Sequence, residues 1–154
     1  MGEDQFGSRV HQTEAQHVPV LSLAIQRLLD DFAWQAMGAE FRFDPDMPML
    51  VSITFMAGPG PRVTWSVSRE LVYRGLHELS GSGDVQMWPV GSADGATARL
   101  LLESPDMSSL FELPARPLAR WLDSTYRTTP RQDEMAGLDW DSFIADILDG
   151  AEEM

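Results

Sequence analysis

Cysteine, lysine and asparagine are all absent from this sequence of 154 residues. Without cysteine the chain has no disulfide, no thiolate nucleophile and no thiolate ligand for a metal. All eleven basic residues are arginine. Because lysine and asparagine have AT-rich codons, we interpret their absence as the mark of a high-GC genome, which says nothing about chemistry.

Long apolar runs are also missing, since no stretch reaches the 18 or so apolar residues that a membrane-spanning helix needs. The first residues, MGEDQFGSRVHQTEAQH, lack the basic and then apolar regions of a secretion signal. The length is typical of one domain with a substantial core. These features predict a single-domain cytoplasmic protein.

Positive charge is scarce, and the formal net charge is −13 at pH 7. From Gln132 to Met154 the chain has eight acidic residues and no arginine. Such a charge repels the phosphate backbone, whereas proteins that bind nucleic acid usually carry basic patches. Charge therefore argues against a nucleic-acid partner.

Catalytic motifs are missing as well. The glycines of GPG (58–60) and GSGD (81–84) lack the spacing of a phosphate-binding loop, and the chain has neither GxSxG nor HExxH. We read DPD (44–46) as a turn, DWD (139–141) as an acidic helix start, and His77 as a solvated residue near a helix end. No catalytic, cofactor or metal site is predicted.

Periodicity and turn residues divide the chain. The polar residues 1–18 predict a disordered tail, and residues 19–150 predict one domain. Segment 19–30 is ambiguous, because its apolar residues fit both a helical stripe and a strand alternation, and we slightly favour an appended helix. Strands are predicted at 39–44, 48–56, 62–68, 83–90, 96–104 and 108–115, and helices at 68–79, 116–129 and 138–150.

This order predicts an α+β fold with antiparallel sheet, because the connections between strands are too short for parallel crossovers. Trp65 alternates with Val63 and Val67, so we expect it to point into the core. Trp88 ends the polar row of the strand GDVQMWPV. A tryptophan on that face predicts contact with another chain or element.

The last predicted helix, LDWDSFIADILDG, has one apolar face and several acidic residues. Packing on its own domain or on a sister subunit is one interpretation, and docking of a partner is the other. Together with Trp88, the candidate residues for self-association or partner binding are Trp140, Asp141, Phe143, Asp146 and Ile147.

Three motifs carry a likeness to a known family that extends over about residues 32–148. They are W-x-x-x-R-x-L from Trp65, G-x-G-D-V-x-x-W-P from Gly81, and P-x-R-x-L-x-x-W-L-x-x-T from Pro114. In these segments the chain closely resembles the SsgA-like proteins, the sporulation and cell-division family of actinobacteria. The high-GC composition agrees with this resemblance.

The resemblance implies a protein without enzyme activity that acts at division septa through protein contacts. Implied partners are FtsZ, the tubulin-like division protein, or another SsgA-like protein. The implied architecture is a homotrimer of Whirly-like α+β subunits, each with two curved antiparallel sheets and helices. Because that fold is shared with single-stranded nucleic-acid binders, such binding is the alternative function, with a small-ligand or enzyme module third.

Overall fold

The computed structural model describes residues 18–30, 33–91 and 96–134. Within them four strands are followed by an α-helix, three more strands are followed by a second α-helix, and a short 3₁₀ helix comes last. The strands are β1 (Leu21–Leu28), β2 (Trp34–Arg42), β3 (Leu50–Met56), β4 (Arg62–Ser68), β5 (Val85–Pro89), β6 (Thr97–Ser104) and β7 (Met107–Pro114). The helices are α1 (Arg69–Gly75), α2 (Ala115–Thr128) and the 3₁₀ helix (Arg131–Asp133). The α+β class is therefore confirmed.

All seven strands belong to one antiparallel sheet in the order β4-β3-β2-β1-β7-β6-β5. The sheet curls strongly. Phe55 on β3 and Phe111 on β7 are three strands apart, about 14 Å in a flat sheet, yet their rings stack with centroids 4.3 Å apart. The result is a half-barrel with an inner and an outer face.

Strand β1 joins the two halves of this sheet. It pairs with β2 from Leu21 to Leu28, and its Gln26 and Arg27 pair with β7. The preference for a helix at 19–30 was therefore wrong, and so was the expectation of two separate sheets. The local spacing of apolar residues fitted both a helix and a strand. The pairing of this segment with β2, across a turn, and with β7, far along the sequence, decides for the strand.

The core lies on the inner face, where strand side chains meet α1 and α2. On α2 the buried residues are Ala115, Leu118, Trp121, Leu122 and Thr125. The rings of Trp121 and Phe41 meet edge to face at 5.9 Å. The Trp121 Nε1 donates a hydrogen bond to the Pro19 carbonyl at 2.7 Å. Val18 is also buried, so the predicted tail extends one residue too far into the domain.

Helix α1 begins and ends where its sequence dictates. The Ser68 hydroxyl accepts a hydrogen bond from the Leu71 amide at 3.1 Å and so caps the helix at the residue where its predicted span, 68–79, begins. At the other end α1 approaches β5 so closely that a Cβ on Gly75 would lie 2.5 Å from Met87. Gly81, with φ +87°, makes the turn into β5. These contacts hold α1 against one edge of the half-barrel.

Candidate functional site

An open groove occupies the part of the inner face beyond the stacked Phe55 and Phe111 rings. Its cavity measures about 270 Å³. The groove is lined by Arg27, Met37, Phe55, Ala57, Gly60, Pro61, Val63, Trp65, Leu102, Met107, Ser109 and Phe111. Among the described residues, Arg27 is the one charged member of this lining. We call this surface the inner groove.

Arg27 reaches the inner groove because of strand alternation. Leu21, Leu23 and Ile25 precede it on the inner face of β1, and its register partner on β7 is Phe111. Its Nε is buried and has no hydrogen-bond partner in the described part of the chain. A helical interpretation of residues 19–30 hid this position, whereas alternation from Leu21 would have placed the arginine on the apolar face.

Trp65 also lines the inner groove, from β4. It is half-buried and packs against the edge of the core, while its neighbour Val63 is 51% exposed and Val67 is buried. The shared face predicted for these three residues is confirmed by their register with β3. Trp65 points toward the core as expected, but it is only half-buried, because the helices cover only the Val67 end of the strand.

Arg69, the first residue of α1, is fully buried. Its Nη2 donates to the Glu134 Oε1 at 2.9 Å, and its Nη1 donates to the Thr125 carbonyl at 3.1 Å. Its guanidinium carbon lies 3.9 Å from the centroid of the Tyr126 ring and 5.0 Å from that of Phe43. This cluster ties α1, the end of α2 and the residue after the 3₁₀ helix together.

Burial raises the pKa of Tyr126 above its ordinary value of 10.0, although Arg131 and Arg69 act in the opposite direction. The Tyr126 hydroxyl is buried without a hydrogen-bond partner of good geometry among the described residues. Tyr126 therefore contributes to this cluster through its aromatic ring, and its surroundings favour the neutral phenol.

The outer face of the sheet carries a second apolar surface around Trp88. Trp88 is half-buried opposite Arg99 in the β5–β6 register, and Arg99 lies opposite Glu112 on β7. The Arg99 Nε donates to Glu112 at 3.3 Å, and its guanidinium carbon lies 5.5 Å from the centroid of the Trp34 ring. Trp34 remains 37% exposed.

Half-buried Leu101 and Leu110, a register pair, complete this surface. We call these six residues the outer patch: Trp34, Trp88, Arg99, Leu101, Leu110 and Glu112. Trp88 faces away from the core as its position in the strand predicted, because its neighbour Met87 is fully buried on the inner face. The other candidate residues, Trp140, Asp141, Phe143, Asp146 and Ile147, lie outside the described residues.

Of the titratable motifs, DPD and His77 lie in the described residues, and DWD (139–141) lies outside them. The Asp44 carboxylate accepts a hydrogen bond from the Asp46 amide at 2.9 Å, which confirms the predicted turn. His77 is exposed beyond α1, with its ring 5.5 Å from that of Tyr73. Over residues 18–30, 33–91 and 96–134, no three carboxylate or imidazole side chains are grouped to hold a metal ion. None of the helices described is long and apolar enough to cross a membrane.

Residues 37–134 match the family model of the Streptomyces sporulation and cell division protein SsgA. That span contains most of the sheet, both helices and the buried Arg69. The chain belongs to the SsgA family. Family membership also gives its coarse role, which is in sporulation-associated cell division.

Relatives in this family resemble the chain over most of their length. The sporulation-specific cell division protein SsgB of Salinispora tropica is 40% identical over 114 residues, which are 73% of this chain and 80% of the relative. SsgB of Streptomyces coelicolor is 36% identical over 110 residues, 71% of this chain and 80% of the relative.

A solved SsgA-like sporulation-specific cell division protein from Thermobifida fusca superposes with a TM-score of 0.73. Its sequence identity is 27%, and the superposition covers 83% of this chain and 93% of that one. The curled sheet with its helices is therefore the architecture of the SsgA family.

The motifs that carried the resemblance are explained by packing. In the first motif Trp65 lines the inner groove and Arg69 forms the buried cluster. In the third, Leu118, Trp121, Leu122 and Thr125 form the buried face of α2. The burial of Arg69 was not predicted, although the spacing indicates it, because Val72 and Leu76 follow Arg69 on the same helix face.

Proposed function

We propose that this protein is a non-enzymatic assembly factor that acts in the cytoplasm at division septa. In this proposal it recruits or positions FtsZ, or another part of the septal machinery, through protein–protein contacts. It acts as a homo-oligomer, with a trimer as the expected state. The observation that carries the proposal is the outer patch, because two tryptophans on the outward face of a sheet are suited to contact another protein.

The acidic end of the chain supplies the second element of the proposal. Asp141 and Asp146 are predicted to lie at the ends or on the other face of a helix whose apolar face includes Phe143 and Ile147. Negative charge there would steer a partner with a basic surface, an effect that acts mainly on association rate and is weakened by salt. The charges would then select the partner while the apolar residues hold the segment in place.

A strain that carries Asp141→Arg and Asp146→Arg tests this role. We expect irregular septum spacing in fluorescence micrographs, and weaker co-sedimentation of the purified variant with FtsZ polymers. The matched control is Asp106→Arg with Asp123→Arg, which makes the same charge change at two exposed acids elsewhere. Normally spaced septa in the first strain would contradict partner selection by these charges.

Two further variants separate partner choice from folding. Phe143→Ala and Ile147→Ala should disturb folding or assembly, which circular dichroism and light scattering detect.

A titration with single-stranded DNA at low and moderate salt tests the alternative function, because contacts with phosphates weaken as salt rises. The net charge of −13 leads us to expect no binding in that titration.

A further inference from the structure

The inner groove combines an apolar lining with one arginine, Arg27, whose Nε has no hydrogen-bond partner in the described part of the chain. A guanidinium remains charged at any physiological pH and offers five N–H donors. The buried Nε of Arg27 has no hydrogen-bond acceptor among the described residues. A buried donor without an acceptor costs free energy, and more so when it belongs to a charged group. Because Arg27 lines the groove, an anion that enters it can pair with this guanidinium.

A carboxylate is the acceptor that best fits this position. Its two oxygens match the fork of a guanidinium, and such charge-assisted pairs are stronger than neutral hydrogen bonds. The rest of the lining, including Phe55, Trp65 and Phe111, is suited to an apolar group. The occupant should therefore carry a large apolar group next to a carboxylate.

The border of the inner groove indicates that this occupant is a peptide. Strand β4 is an edge of the sheet, and its one partner strand within the described residues is β3. Val63 and Trp65 of β4 face the groove. A free edge beside an apolar groove is the arrangement to which an extended peptide adds as a further strand, with alternate side chains entering the groove.

The size of the groove agrees with an anchoring role. Its volume of about 270 Å³ is below the usual range for small-molecule sites, roughly 300–1,000 Å³. One or two large side chains of a longer segment fit such a space. We propose that the inner groove binds an extended peptide segment of a partner protein, with an apolar side chain among the aromatic rings and a neighbouring carboxylate on Arg27.

This proposal goes beyond the role in division and does not depend on it, because its test uses the purified full-length chain. Random ten-residue peptides displayed on phage are selected on the wild type, with counter-selection on Arg27→Gln. We expect enrichment of sequences in which Phe, Trp, Leu or Ile lies near Asp or Glu. An enriched peptide is then synthesised and its dissociation constant measured by fluorescence anisotropy.

The expected result is a loss of affinity of about tenfold or more for Arg27→Gln. The control Arg62→Gln, an exposed arginine on the opposite face of β4, should bind like the wild type. Replacing the acidic residue of the peptide by its amide should cause the same loss on the wild type. That measurement needs no protein variant, so it decides the matter even if Arg27→Gln folds poorly.

Three results would overturn the proposal. The first is a selection without enrichment. The second is an enriched peptide that binds Arg27→Gln as tightly as it binds the wild type. The third is binding of sodium laurate, the probe for a lipid occupant, in a protein that selects no peptide.

Discussion

At the scale of single residues, the two arginines on the inner side of the fold differ in their partners. Arg69 has a carboxylate, a hydroxyl, a carbonyl and two aromatic rings around it. The Nε of each arginine has no hydrogen-bond partner among the described residues, but Arg27 lies at the open end of the same curled sheet and lines the inner groove. Because both are inward-facing cations, this difference separates a structural arginine from a candidate binding residue.

Because Tyr126 is buried beside Arg69, we predict that the unfolding free energy depends on pH in the alkaline range. Because burial raises the pKa of Tyr126 in the folded state, its contribution to stability is complete below the unfolded pKa of about 10. It is lost as pH rises from there through the folded pKa. We expect the unfolding free energy of the wild type to fall in this alkaline range, and that of Tyr126→Phe to fall less.

Urea unfolding at several pH values between about 9 and 11 measures this effect. The matched control is Tyr73→Phe, which removes the only other tyrosine and leaves Tyr126 in place. An alkaline loss in Tyr126→Phe as large as in the wild type would assign the effect to other groups.

The stability lost in Trp65→Ala tests how deeply Trp65 is buried at the inner groove. Truncation of a fully buried large aromatic residue to alanine lowers the unfolding free energy by roughly 3–5 kcal/mol. A Trp65 buried in the core would show a loss of that size. Since Trp65 is half-buried at the inner groove, we expect a loss of about 1–3 kcal/mol in urea unfolding.

The matched comparison is Trp121→Ala, at a site that is buried and hydrogen-bonded. It should lose about 3–5 kcal/mol. Equal losses for the two variants would show that Trp65 is as much a core residue as Trp121, and the inner groove would then be closed in solution.

At the scale of elements, local pattern was sufficient for six strands and both described helices. The start of α1 is confirmed, because the Ser68 N-cap acts through a local hydrogen bond. Strand β2 begins at Trp34, five residues before its predicted start. The segment Trp34–Gly38 contains weak strand formers, and its pairing with β1 over the whole strand overrides their propensity.

Neither candidate surface could be located from the sequence. The inner groove exists because α1 and α2 cover one end of a curled sheet and leave the other open, which depends on long-range packing. The outer patch needs the register of β5, β6 and β7, which places Trp88, Arg99 and Glu112 in one row. Only the outward direction of Trp88 followed from strand alternation.

A pair of truncations tests the central position of β1. Removal of residues 1–17 should leave the melting temperature almost unchanged, since the described core begins at the buried Val18. Removal of residues 1–30 should prevent cooperative folding, because β1 is the strand that joins β2 to β7. Thermal unfolding followed by circular dichroism measures both. A shorter chain that still melts cooperatively would show that the two halves close without β1.

At the scale of the whole molecule, one sheet has to serve two environments. Its inner face carries the core and the groove, and its outer face carries the outer patch. A chain with net charge −13 repels its own copies, so association must come from apolar contact at defined places. Among the described residues of the outer face, Trp34 and Trp88 supply the largest side chains for such contact.

We therefore expect the purified protein to scatter light as an oligomer, with three times the chain mass of 17.2 kDa as the predicted value. Trp88→Glu should shift the mass toward the monomer, because a carboxylate inside an apolar contact must be desolvated without a partner. The matched control is Arg74→Glu, at an exposed position on α1, which adds more negative charge away from the patch and should keep the oligomer. A wild type that remains at 17.2 kDa at micromolar concentration would refute self-association, and the outer patch would then be left as a surface for a different protein.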